Sequence, residues 1–130
     1  MHRNQGMSQD SSEKGLQKCR KVIGDAFVDR ALSQADALTM PMQDFVTGVT
    51  KDEVWNREAL LDRDRSLINL GMIAALNRPH EDKGHVRVAL HSRVSSEEIR
   101  DVCMQIAVYC GFPAGHDSLC NAMEVIGDDN

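Results

Sequence analysis

Apolar residues recur at helical spacing along most of this chain, and no segment sustains the every-second-residue alternation of a strand. The densest stretch runs from Asp62 to Leu90, DRDRSLINLGMIAALNRPHEDKGHVRVAL. It predicts a long apolar helix, a break at Pro79, and a second helix carrying Glu81 and His85. In the first helix Leu67, Leu70, Met72, Ile73, Ala75 and Leu76 leave little polar circumference. Such a helix is buried on several sides, in a core or against another subunit. Asp62 is its expected N-cap. Arg63 and Arg65 follow at once, where cations oppose the helix macrodipole by roughly a few tenths of a kcal/mol. That small cost suggests another job for one of them.

The remaining elements follow from the same spacing. Residues 1 to 11 are polar and aperiodic and predict a mobile tail, with the folded domain over 12–130. From Ser12 to Asp36 the pattern is helical, with Gly24-Asp25 as a stop and restart and Asp25 as N-cap of the second piece. Pro41 suits the first turn of a third helix carrying Met42, Phe45 and Val46 inward. The segment GVTKDEVWNREALL reads as irregular and holds the sole tryptophan, Trp55, followed by Arg57. Trp55 serves equally as core or as the wall of a pocket. Beyond Pro79 a helix runs to about His91, with Gly84 inside it at a cost of about 1 kcal/mol relative to Ala. Ser95 and Glu98 form a capping box that opens an amphipathic helix ending at Gly111. Pro113 starts the last helix, which Gly127 closes. The expected fold is all-α, a single-domain bundle of about six to seven helices.

Composition narrows the class. The 130 residues suffice for one domain with a core. A formal charge of −5 disfavours nucleic acid or an anionic membrane as partner. No apolar run approaches the roughly 20 residues that span a bilayer, and MHRNQGMSQDSSEKG lacks the apolar core of a signal peptide. A soluble, cytoplasmic protein is expected. Cys19, Cys103, Cys110 and Cys120 show neither Cys-x-x-Cys nor zinc-like spacing, so reduced, structural thiols are expected. The last three lie within apolar helical pattern, where buried thiols are common.

The chemistry-bearing candidates are few. Glu81 and His85 are four apart, so a helix presents a carboxylate and an imidazole side by side. On a surface this is a solvated salt link. As an acid–base unit the pair must be enclosed, because desolvation tunes a carboxyl to work near neutral pH. His80 and His91 sit at helix ends and are expected to be exposed, whereas His116 is open to either reading. A metal site needs three or four converging ligands. The pair supplies two, with Asp82 or His116 as distant additions, so no metal is expected. Phosphate-cradling glycine loops, nucleophile elbows and basic-aromatic patches are absent.

The motifs GDAFVDRAL (24–32), VW-R around Trp55 and Arg57, RSLINLGMIAALNR (65–78), Glu81-x-x-x-His85, H-x-R-x-A-L (85–90) and SSEEIRDVCMQIAVYCGFPAG (95–115) occur in this order. On them the chain resembles the carboxymuconolactone decarboxylase family, within the alkylhydroperoxidase-like fold, over nearly everything after the tail. The resemblance implies an all-helical domain assembling into rings, commonly hexamers. It also implies decarboxylation of an aromatic-catabolism lactone, on the β-ketoadipate route, without metal or organic cofactor. Where related alkylhydroperoxidases carry Cys-x-x-Cys-x-x-x-His, this chain reads Arg78, Glu81 and His85. Disulfide-cycling chemistry needs two thiols and is disfavoured. The chain departs from the decarboxylase pattern at four places. YAWG-x-x-W is GVTKDEVW, R-P-G-L is replaced within NREALL, E-L-R-L-H is EDKGH, and N-G-V is SRV.

The implied substrate fixes the chemistry required. Loss of CO2 from such a lactone drives electrons through a conjugated double bond into the carbonyl oxygen. A donor must meet that oxygen and an acid must protonate a ring carbon. Glu81 and His85 are the candidates for those two roles, in either assignment. The leaving carboxylate must stay ionised. The substrate's other carboxylate suits a guanidinium clamp from Arg65 or Arg57, with Trp55 beside it. A different enzyme on the same fold, or an oligomeric binding protein without turnover, is the alternative reading.

Overall fold

The computed structural model describes the backbone of residues 5–128 and the side chains of residues 13–127. Its regular structure is helical throughout these residues, which establishes the all-α class. The elements are α1 (Gln5–Ile23), α2 (Asp25–Gln34), α3 (Met40–Val46), a π-helix (Thr47–Trp55), α4 (Asp62–Leu76), α5 (Pro79–His91), α6 (Ser96–Cys110) and α7 (Phe112–Asp128). The chain divides into two compact units, Met1–Leu60 and Leu61–Asn130.

In the N-terminal unit α1 begins upstream of Ser12, where the apolar periodicity starts; of the expected tail, residues 1–4 lie outside the described residues. Gly24 separates α1 from α2 with φ 106, a value L side chains rarely adopt. Gly24 itself occupies the N-cap position and makes no side-chain cap. Asp25 is thus the first helical residue rather than the expected cap, and its carboxylate accepts from Arg20 Nη1 at 3.3 Å. Arg20 also reaches Asp29 at 2.8 Å, tying the two helices across the break.

Pro41 lies in the first turn of α3, as its fixed φ favours. Met42, Phe45 and Val46 are exposed rather than turned inward. Packing falls instead to the next element. The segment expected to be irregular contains a π-helix, whose buried residues are Gly48, Lys51 and Trp55 and which packs against α1. Its wider turns carry no distinctive apolar period, so helical or strand templates do not find it.

In the C-terminal unit α4 packs against α5, α6 and α7. Its N-cap position is Leu61, in extended conformation without a side-chain cap; Asp62 is already helical, contrary to expectation. The Asp62 carbonyl accepts from Ser66 Oγ at 3.1 Å. Asn77 closes α4 in the left-handed conformation, φ 57. Pro79 starts α5 as expected, and the Ser95–Glu98 capping box opens α6 with both reciprocal bonds made. Gly111 ends α6, whereas α7 continues through Gly127 to Asp128 instead of stopping at that glycine.

The core of this unit joins Leu70, Val86, Ala89, Val94, Ile99, Cys103, Ala122 and Val125. Burying a side chain such as Leu70 or Ile99 contributes about 1.5–3 kcal/mol. The α6–α7 contact depends on Gly115. A Cβ there would lie 2.6 Å from both the Ala107 Cβ and the Cys103 carbonyl oxygen. The central helix is covered only in part. Ser66, Leu70 and Ala74 are buried, whereas Ile68, Met72 and Leu76 are exposed.

Candidate active site

Helix α5 presents the two principal candidates one turn apart. Pro79 sets its first turn, and Glu81 and Asp82 follow where acidic groups complement the positive end of the helix. Glu81 is exposed and His85 is half-buried, with Nδ1 shut off from solvent. The enclosure an acid–base pair requires is met at His85 and not, within this chain's own packing, at Glu81. Arg65, in the first turn of α4, is half-buried with Nε likewise shut off from solvent.

The two other expected site residues belong to the N-terminal unit. Trp55 ends the π-helix and is only 3% exposed. The Lys51 ammonium lies 4.2 Å from its ring centroid, a cation–π contact made by a lysine that is itself buried. Arg57, in the turn that follows, is exposed. The spacing of His80, His91 and His116 leaves all three at the surface.

Asp82 is where residue-type reasoning fell short, since it entered only as a distant metal candidate. It shares the inward face of α5 with Val86 and Ala89, and it is 2% exposed. Ser118 Oγ donates to Asp82 Oδ2 at 2.9 Å and Asn121 Nδ2 donates to the same oxygen at 3.1 Å. The signal was present in the spacing, which sets Asp82 at position i of an apolar face continued by Val86 at i+4 and Ala89 at i+7. Ser118 also hydrogen-bonds Cys103, whose thiol is pushed above its ordinary value chiefly by burial.

The cysteines divide by position. Cys103 is buried, as expected of a structural thiol, but Cys110 and Cys120 are exposed because they fall on the outward faces of α6 and α7. Cys120 Sγ stands 3.7 Å from His116 Nε2, one turn away. Among the described residues no group of three or more His, Cys, Asp or Glu side chains converges as a metal site. No described helix is long and apolar enough to cross a membrane.

Known proteins align with this arrangement over most of its length. A 4-carboxymuconolactone decarboxylase of Acinetobacter baylyi is 28% identical over 116 residues, covering 89% of this chain and 87% of its own. A nitrosuccinic acid decarboxylase of Metarhizium robertsii is 32% identical over 116 residues, covering 89% of this chain and 81% of its own. The sequence profile of the carboxymuconolactone decarboxylase family matches residues 41–121, which take in Trp55, Arg57, Arg65, Glu81 and His85. The chain belongs to the carboxymuconolactone decarboxylase family.

Proposed function

We propose that this protein is a cofactor-free carboxy-lyase acting in the cytoplasm on 4-carboxymuconolactone or a related lactone acid, releasing CO2 and an enol-lactone. The observation that carries the reading is the similarity, over 89% of the chain, to two relatives that are both decarboxylases. The Glu81–His85 pair on α5 supplies the groups such a reaction needs.

The two relatives' substrates share more chemistry than their names suggest. In each, the carbon that loses CO2 also carries a –CH2–COO⁻ arm, so both contain a succinate skeleton. In each, that carbon is joined to an electron sink ending in oxygen: the unsaturated lactone carbonyl in one, the nitro group in the other. Loss of CO2 gives a dienolate or a nitronate, which is then protonated on carbon. The 32% relative therefore favours a second reading, a nitro-substituted succinate, that uses the same groups.

In either case Arg65 holds the carboxylate of the arm that stays. The departing carboxylate is left ionised, because a strong clamp there would oppose its loss. His85 and Glu81 divide the remaining work. One donates to the oxygen where charge develops, and the other delivers a proton to carbon.

Glu81 lies at the end of a run, Ala75 to Glu81, in which every residue is exposed. Leu76 within this run is a large apolar side chain left at 66% exposure. The proposal therefore includes a homo-oligomer, on the family resemblance a hexamer, whose neighbouring subunit encloses Glu81.

The test is CO2 release from a panel containing 4-carboxymuconolactone, other lactone acids and nitrosuccinate, with and without chelator. Turnover of a succinate-type acid carrying an oxygen-terminated sink, unaffected by chelator, is the expected result. Failure of the whole panel would leave the binding-protein alternative in place of an enzyme.

A further inference from the structure

We propose that the outward face of α7 carries half of a zinc site, His116 and Cys120, which a second copy of this chain completes with the same two residues. Both side chains are exposed, one turn apart on a 17-residue helix, and Cys120 Sγ stands 3.7 Å from His116 Nε2. The pair lies within the C-terminal unit, on a different helix from Glu81 and His85, and does not depend on the decarboxylase reading.

The separation of the two atoms suits a shared ion. Tetrahedral zinc holds sulfur at about 2.3 Å and nitrogen at about 2.0–2.1 Å, which sets two such ligand atoms about 3.5 Å apart. Sγ and Nε2 already stand within about 0.2 Å of that separation. With its proton on Nδ1, the His116 imidazole presents Nε2 as a lone-pair ligand. Thiolate and imidazole together select zinc over magnesium or calcium, which take oxygen ligands. On coordination each thiol gives its proton to solvent, and the ion stays divalent.

One chain stops at two ligands. Among the described residues no third His, Cys, Asp or Glu converges with them, whereas a closed zinc site takes four. The rest of the face shows where the other two come from. Phe112, His116, Cys120 and Met123 follow at intervals of four, four and three residues, so they line one stripe of α7. Its apolar ends, Phe112 and Met123, are left 77% and 63% exposed. Read in either direction, the order is apolar, ligand, ligand, apolar. A two-fold axis between His116 and Cys120 therefore lays a second α7 antiparallel on the first. Phe112 then meets the partner's Met123, and His116 meets the partner's Cys120. Such a contact is self-complementary, as a closed dimer requires. Asp117 and Glu124 are exposed next to the stripe, so the two copies repel there until a dication sits between them. The contact uses α7 and leaves the α4 stripe to the assembly proposed above.

The test titrates the reduced, chelator-stripped wild-type protein with zinc chloride, with cobalt chloride as a coloured stand-in and magnesium chloride as control. Zinc should saturate at one ion per two chains, with an apparent affinity that rises with protein concentration. Cobalt should develop the intense visible bands of a tetrahedral thiolate site, and magnesium should do nothing. His116→Ala and Cys120→Ala change exposed positions and should stay helical by circular dichroism. Each should weaken zinc uptake by more than about a hundredfold, since even the outer-shell partners of zinc ligands are worth about 10–100-fold. Cys110→Ala, which removes an exposed thiol of α6, should bind as the wild type does. Saturation at one zinc per chain would show a chelate completed by water and would overturn the bridged site. No uptake by the wild type, or uptake unchanged in either α7 variant, would leave the pair as a thiol–imidazole contact and nothing more.

Discussion

Glu81 and Asp82 are adjacent carboxylates on one helix with opposite environments, and the contrast shows what residue-level reasoning can reach. Helix geometry alone places Glu81 over His85 and Asp82 over Val86, so both alignments were legible from spacing. Which face turned inward was not, because it depends on α4 and α7 packing over α5. If the pair on α5 acts as proposed, His85→Ala and Glu81→Gln should each lower turnover by about 10²–10⁴-fold, the usual scale for general acid–base groups. Melting temperatures should change little, since Glu81 is exposed and His85 only half-buried. The double variant should lose less than the product of the two effects, because groups acting as one unit are not additive. Near-native turnover in either single variant, on a substrate the protein does process, would move the active site elsewhere. The thiols give a complementary expectation. Replacing Cys19, Cys103, Cys110 and Cys120 by Ser or Ala should preserve turnover in the protein that folds, with the stability loss concentrated at buried Cys103. Loss of activity from the Cys110 change alone, with folding intact, would revive a thiol mechanism.

At the scale of elements, the signals read correctly were those with a local physical cause. The Ser95–Glu98 capping box and Pro79 satisfy or remove orphan donors within one turn, and the structure has both where the sequence put them. Asp25 and Asp62 were misplaced by one residue because extended Leu61 and Gly24 already occupy the cap positions. The π-helix escaped because it has no period of its own in the sequence. Ser95→Ala should cost about 1 kcal/mol in a denaturation experiment. Gly115→Ala should cost about 1–3 kcal/mol, since its new methyl would press on Ala107 and the Cys103 carbonyl at 2.6 Å. Glu98 adds a pH dependence. Its carboxyl is held below the ordinary glutamate range first by the hydrogen bond from Arg63 and next by the Ser95 backbone N–H. A carboxyl depressed on folding contributes stability that is present above its unfolded value, about 4.3, and lost as pH falls through the folded one. Glu98→Gln retains a capping side chain but removes the charge facing Arg63. It should therefore melt below wild type at neutral pH, and the gap should close on acidification below about pH 4.3. A gap independent of pH would mean that Arg63 and Glu98 contribute shape rather than charge.

For the whole molecule the decisive feature is apolar surface that the described chain does not cover. Ile68, Met72 and Leu76 form a stripe along α4 at successive turns, 47%, 51% and 66% exposed. Met104, Val108, Tyr109 and Phe112 are further exposed apolar side chains, on α6 and the start of α7. The sequence announced this surplus, because a helix apolar on most of its circumference needs more than one covering surface. It could not announce where the cover comes from, since burial in a core and burial against a subunit leave the same pattern. Exposed apolar side chains clustered along a helix mark association, and a second copy is the occupant proposed above. Sedimentation or light scattering at micromolar concentration should show a homo-oligomer. Met72→Gln, at the centre of the stripe and outside the buried core, should shift the protein to smaller species while circular dichroism remains helical. If a neighbouring subunit encloses Glu81, turnover should fall with dissociation, and a concentration series of the variant should recover both together. A wild-type monomer would remove the assembly and the enclosure of Glu81 at once. An oligomer whose activity is indifferent to dissociation would keep the assembly but place the whole site within one subunit.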